Sequence, residues 1–286
     1  MIKYAFFGTP EFASIVLEKL ISAGLPPAAV VCNPDRPVGR KKIVTPPPAK
    51  QSILDQDENI REQISIYQPE KVKEIESVLR DGNFDLFVIA AYGKIISKAI
   101  LEIPKFGTVG VHPSLLPKLR GSSPIQSSIL FGEKETGVSL FMVDEFVDNG
   151  PIISKESLEC DMNSITYTNL HDSLANLGAE MLVDLIPRIG VEKIELTHQD
   201  DAQVTFTKKF ITEDGFVDEN SLNDAVSDKN AELSIIIDRK IRALNPEPGV
   251  YTILNGERTK LLESELRGGK LILKKIQIAG KTPQNV

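Results

Sequence analysis

Residues 2–32 read IKYAFFGTPEFASIVLEKLISAGLPPAAVVC, and this stretch decides the fold. IKYAFF is a short apolar run with the character of a buried strand. Gly8 ends it. Thr9 is suited to cap a helix, and Pro10 to occupy the first helical position, where its missing N–H costs nothing. Phe12, Ile15, Val16 and Leu20 then recur at helical spacing, and residues 28–32 form a second apolar run. Strand, helix and strand at this length make a βαβ unit, which implies a parallel sheet. The turn at Gly8 lacks the GxGxxG pattern, so no dinucleotide fingerprint is present.

The same alternation continues. Residues 84–91, FDLFVIAA, read as a central strand, with Ala91, Tyr92 and Gly93 at its carboxyl end. Ligands in open α/β sheets bind outside the carboxyl ends of strands. Tyr92 has two readings there: a ligand contact, or an aromatic capping the core. Further strands are expected at 64–67, 107–111, 137–143 and 151–157, and helices at 69–80, 124–131 and 164–189. The loop 33–50 is proline-rich and too long for a tight connection. Its Arg36, Arg40, Lys41 and Lys42 suit phosphate contacts. Residues 190–204 show no period and read as a linker. Beyond it come a strand at 205–211, a helix over 231–244, and β-like runs separated by Asn255–Gly256 and Gly268–Gly269, the signature of a small antiparallel module. The expected domains are 1–189, a linker 190–207, and 208–286.

The chain has 286 residues, 41% apolar and 26% charged, and a formal net charge of −7. That balance is ordinary for a globular protein and argues against a general nucleic-acid binder. Charge is uneven, however. Residues 255–286 carry seven Lys or Arg against three Glu, an excess of four positive charges that suits a selective polyanionic partner. Two cysteines, Cys32 and Cys160, stand far apart, which points to a reducing cytoplasm. No Cys or His spacing suggests a metal site. The start lacks the features of a signal or transit peptide, and nothing approaches a membrane span. The expectation is a cytoplasmic monomer.

His112 stands at the end of the 107–111 strand, followed by a segment stiffened by Pro113 and Pro117. Asp148 follows a later strand in VDNG. A carboxylate beside a histidine fixes its tautomer and favours the protonated ring, which is the pairing for general acid–base work. On spacing alone a lone histidine at a strand end is more often structural than catalytic, and for Asp148 an Asx turn with Asn149 and Gly150 is the favoured reading. Ser114–Leu115–Leu116–Pro117 is apolar and aperiodic: loop packing, or the wall of a site for a flat heteroaromatic ligand. His171 reads as a helix-surface residue and His198 as part of the linker.

Several motifs occur together and in order: FFGTPEFA at 6–13, PDRPVGR at 34–40 followed by Lys41 and Lys42, VIAAYGKII at 88–96, HPSLLPKLRG at 112–121, VDNG at 147–150, IRALNPEPG at 241–249 and LKKIQIAGKTP at 273–283. In these the chain resembles the formyltetrahydrofolate-dependent formyltransferases, and within them the branch acting on methionyl-tRNA. The resemblance implies a Rossmann-like catalytic domain with a smaller, mainly β, OB-like C-terminal domain. It implies transfer of formyl from 10-formyltetrahydrofolate to the amino group of methionyl-initiator tRNA. His112 and Asp148 match the catalytic His and Asp. Ser114, Leu115, Leu116 and Pro117 match the folate-contacting segment, beside Ala91 and Tyr92, and Arg36, Arg40, Lys41 and Lys42 lie in the loop that contacts the acceptor stem. Two departures stand out. The motif expects Asn two residues before the histidine, and here that position is Gly110; loss of one oxyanion donor costs roughly 10²–10³ in rate. The C-terminal domain is also short between Glu263 and Leu271, so missing strands are expected. The competing readings are a formyltransferase for a small amine, such as an amino sugar nucleotide or ribonucleotide, and a non-catalytic folate- or tRNA-binding relative.

Overall fold

A computed structural model describes residues 2–39, 41–227 and 229–286. The chain divides into two compact units. One holds residues up to Arg120, Gly137–Leu158 and Asp172–Phe206; the other holds Gly121–Thr136, Glu159–His171 and Thr207–Val286.

The first unit is built on β1 (Tyr4–Phe7), α1 (Glu11–Ser22), β2 (Ala29–Val31), β3 (Arg36–Val38), β4 (Ile43–Thr45), β5 (Ser65–Tyr67), β6 (Leu86–Ala90), β7 (Thr108–His112), β8 (Thr136–Met142) and β9 (Ile152–Leu158). Seven of these strands form one sheet in the order β9-β8-β7-β6-β1-β2-β5. β5, β2, β1, β6 and β7 run parallel, and β8 pairs antiparallel to β7. All four residues of β1 are buried, as a parallel strand covered on both faces requires. α1 packs Phe12, Val16, Leu17 and Leu20 inward. Its start differs from the sequence expectation: Pro10, not Thr9, is the N-cap, and no side chain caps the helix. The Thr9 hydroxyl is used instead to accept the backbone N–H of Asn33. The helix ends where Gly24, at φ +76°, turns left-handed and lets the Leu25 N–H reach the Leu20 carbonyl.

Other expectations shift in detail. The 69–80 segment splits into a 3₁₀ turn at Val72–Ile75 and a short helix at Glu76–Asp81. The long 33–50 loop carries the β3–β4 hairpin. Only Phe206–Thr207 of the 205–211 stretch is strand. The 190–206 stretch is irregular yet pinned, with Thr197 bridging antiparallel to Ile152 at the start of β9.

The second unit contains α2 (Glu219–Val226), capped by Asp218, α3 (Ala231–Leu244), capped by Asn230, and the strands β10 (Tyr251–Leu254), β11 (Glu257–Arg267), β12 (Lys270–Ile278) and β13 (Gln284–Asn285). The strands form an open antiparallel row in chain order. The two-residue turns at Asn255–Gly256 and Gly268–Gly269 all have positive φ, matching the twist of tight hairpins. No closed barrel forms among the described residues: β10 and β13 end the row, and β10 is flanked only by a parallel bridge between Tyr251 and Phe216.

Candidate active site

β7 delivers His112 to the carboxyl end of the sheet. Its five residues are buried, and in register with β8 it sets Gly110 opposite Phe141 and His112 opposite Ser139. The imidazole is nearly enclosed, and its edge meets Phe141 with ring centroids 6.4 Å apart and planes at 89°.

Two acceptors face the two ring nitrogens. Nε2 lies 2.9 Å from the carbonyl oxygen of Leu119, and Nδ1 lies 3.6 Å from Oδ2 of Asp148. The first is a hydrogen bond. The second is within ion-pair range and too long for a hydrogen bond. A neutral ring carries one proton and satisfies one acceptor; the imidazolium carries two and satisfies both. Leu119 has φ +60° and Asp148 has φ +48°, so both acceptors stand on left-handed, non-glycine backbone. Such residues are costly and persist where surrounding structure over-determines them.

The surroundings are specific. Asp144 folds the loop by accepting from the Phe146 N–H and the Asn149 side-chain amide. Gln199 donates to the carbonyls of Asp148 and Gly150 at 2.9 and 2.8 Å. Buried Arg120 donates to Gln199 Oε1 and to Asn149 Oδ1. Sequence reasoning missed Gln199 altogether, because the polar stretch around it has no period. Its only sequence-level signal was a linker running too long without glycine or proline after Gly190.

Gly110 proves to be a packed position. A Cβ added there would lie 2.5 and 2.7 Å from Cε1 and Cζ of Phe141 and 3.0 Å from Cγ2 of Val143. Phe141 is buried with Leu116 and Ile152. A cross-strand aromatic therefore covers the strand glycine, and the space of the expected Asn side chain is filled by a ring that cannot donate a hydrogen bond.

The remaining sequence candidates fall in three places. Ser114, Leu116 and Pro117 turn inward and Leu115 is half-buried. The backbone of this segment is tied down: the Leu116 N–H donates to Ser139 Oγ at 2.9 Å, Lys155 Nζ donates to the Leu116 carbonyl at 3.0 Å, and Ser139 Oγ donates to the Ser114 carbonyl. Ala91 is exposed with φ +52°, and its carbonyl accepts from the Thr9 N–H. Tyr92 lies in the core with its ring edge-on to Phe7; its hydroxyl has no partner among the described residues, and burial pushes the phenol up to about 12. On the β3–β4 hairpin Arg36 is exposed and held by the Glu70 carboxylate at 2.6 Å, while Lys41 and Lys42 are exposed at the turn. Arg40 lies outside the described residues. His171 is buried against Tyr167, with ring centroids 5.5 Å apart, and is no surface residue; His198 is exposed.

A cavity of about 520 Å³ opens in the first unit, lined by Tyr4, Leu25, Phe106 and Ile186 among others. It lies away from His112, at the other end of the strands, and its walls are mostly apolar. The chemistry-bearing geometry is at His112, not there.

The sequence and fold have known counterparts. Residues 2–186 match the Formyl transferase family, and residues 232–280 match Formyl transferase, C-terminal domain. A methionyl-tRNA formyltransferase of Staphylococcus epidermidis is 39% identical over 272 residues, covering 94% of this chain and 82% of that protein. One from Methylococcus capsulatus is 36% identical over 265 residues, covering 93% and 81%. Among solved structures, a methionyl-tRNA formyltransferase from Clostridium thermocellum superposes with TM-score 0.60 at 17% identity, covering 97% of this chain and 99% of that one. A 4-N formyltransferase from Francisella tularensis gives TM-score 0.66 at 18% identity, covering 93% and 98%. The chain belongs to the formyl transferase family.

Proposed function

We propose that this member of the formyl transferase family moves a formyl group from 10-formyltetrahydrofolate to the amino group of methionyl-tRNA, with His112 and Asp148 handling the protons. The observation that carries the reading is the juxtaposition of those two side chains at the end of β7, in a chain alike over nearly its whole length to proteins named for that reaction. The amine nitrogen attacks the formyl carbon, a C–N bond forms, and the carbonyl oxygen takes the electron pair. His112 as imidazolium stabilises that oxyanion. The Leu119 edge anchors the ring, and the longer Asp148 edge is the one that can exchange partners. Asp148, through a water, accepts the proton lost by the amine and passes it to the folate nitrogen as the old C–N bond breaks. Position 110 contributes no donor to the oxyanion, so the burden on His112 rises.

In this reading Ser114–Pro117, Ala91 and Tyr92 border the folate. Arg36, Arg40, Lys41 and Lys42 meet the acceptor stem, and the basic strand β12 adds a second electrostatic contact. Part of that basic charge is already neutralised within the sheet: Lys275 pairs with Glu263 at 2.9 Å, and Arg267 and Lys274 share Glu265. The protein incubated with 10-formyltetrahydrofolate and methionyl-initiator tRNA forms formylmethionyl-tRNA, and a nucleotide-linked amino sugar is not consumed. His112→Ala abolishes turnover. Formylation of the sugar alone, or turnover by His112→Ala within a few-fold of the parent protein, sinks the reading. Replacing Lys41 and Lys42 by Ala raises KM for the tRNA, leaves KM for folate alone, and lowers the salt dependence of tRNA binding by about one unit of slope per lost phosphate contact.

A further inference from the structure

Both acceptors around His112 rest on backbone that would relax if left alone, and both are held from one irregular stretch, residues 199–205. Gln199 uses its whole amide. Nε2 donates to the Asp148 and Gly150 carbonyls at 2.9 and 2.8 Å, and Oε1 accepts from Nε and Nη2 of Arg120 at 3.0 and 2.8 Å. Arg120 in turn reaches Asn149 Oδ1 at 2.9 Å, so the Asp148 carbonyl and the two residues that follow it are fixed from one point. Six residues on, Thr205 Oγ1 accepts the Leu119 N–H at 2.8 Å, and the Thr205 carbonyl accepts the Arg120 N–H at 2.9 Å.

We infer that Gln199 is a positioning residue for formyl transfer, holding the Asp148 carboxylate at the Nδ1 edge of His112. Its amide bonds to the peptide that carries the carboxylate. A residue at φ +48° gains by rotating to an ordinary backbone conformation. The two carbonyl contacts of Gln199 oppose that rotation, and their loss loosens the peptide that carries the carboxylate. Misplacement of a catalytic group by about 1 Å costs roughly 10²-fold. Thr205 does the same, more weakly, for the Leu119 carbonyl. The inference rests on the assignment of His112 and Asp148 as the proton-handling pair.

Gln199→Glu isolates the effect, because it keeps an acceptor for Arg120 and deletes both donors to the Asp148 loop. Its kcat falls by roughly 10-fold to 100-fold, while KM for tRNA and folate holds and the midpoint of thermal unfolding is unchanged. In an Asp148→Asn background the same substitution costs no further activity, since residues acting through one another are not additive. Gln199→Met, uncharged and close in shape, repeats the loss and serves if the Glu variant fails to fold. A kcat per folded molecule equal to the parent's in both variants overturns the inference, as does a full additional loss in the Asp148→Asn background. His112→Ala separates the two layers: if it stays active, the assignment of the pair fails; if it is dead while the Gln199 variants are normal, only the positioning role fails.

Discussion

Among the described residues, each unit holds a carboxylate set against an enclosed basic side chain, and the two pairings are built in opposite ways. Arg242 and Asp238 lie one turn apart on α3 at 2.7 Å, both almost wholly buried. Further bonds surround the pair: Asp238 accepts a second bond from Ser264 at 2.9 Å, and Arg242 Nη1 reaches the carbonyls of Met162 and Ile165. The backbone beneath is regular helix. His112 and Asp148 meet at 3.6 Å, Asp148 is partly open to solvent, and the backbone that carries it is left-handed. A buried pair that only has to stay buried closes on itself, because an unmet charge in the interior costs several kcal/mol. The His112–Asp148 pair does not close in this way: it stays long, and the backbone that carries its carboxylate is held by bonds from Gln199.

The sharpest break in this contrast is Asp148→Asn, which keeps the shape and removes the charge. Formyl transfer should fall by about 10²–10⁴-fold, with thermal unfolding unmoved; a large loss of stability instead would make this pair structural like the other. Asp238→Ala tests the other side. It leaves Arg242 buried without its partner and should cost about 3–5 kcal/mol in denaturant unfolding; a loss below 1 kcal/mol would mean that the network is not closed as described. Gly110→Asn comes third. Overpacking against Phe141 and Val143 should cost about 1–3 kcal/mol of stability, and Phe141→Leu in the same chain should recover part of it; equal stability of Gly110→Asn and the parent would show that the ring moves freely. The smallest effect belongs to a third, half-buried pair. Hydrogen bonds from Lys50 and Gln68 hold the Asp35 carboxyl below its usual range. Its stabilisation is therefore complete above the unfolded carboxyl value of about 3.9 and is lost as pH falls through the lower folded value. Asp35→Asn should lower stability slightly and evenly across neutral pH and flatten the acid limb of stability against pH below that point.

How far these features could be read from the chain depends on the range of the interactions that make them. The apolar runs of β1, β2, β6 and β7 and the stripe of α1 are local, so order and class of the elements followed from periodicity. The helix at Ala231–Leu244 and the two glycine turns after it were legible to the residue for the same reason. His112 and Asp148 needed the surrounding motifs, since spacing alone gave each a structural reading. Gln199 had little local signal beyond the length of its linker: its contacts are to Asp148 and Arg120, 51 and 79 residues away. The meaning of Gly110 was equally hidden, because it depends on the β7–β8 register that puts Phe141 opposite. Thr9 was misread for a smaller version of the same cause, its hydroxyl being taken by Asn33 rather than by its own helix.

The register between Gly110 and Phe141 also ties the two positions together. With the ring in place, an asparagine at position 110 meets the far edge of Phe141 already at its Cβ, and the ring has to shift to admit it. A change at one position is therefore read at the other, across the strand pair.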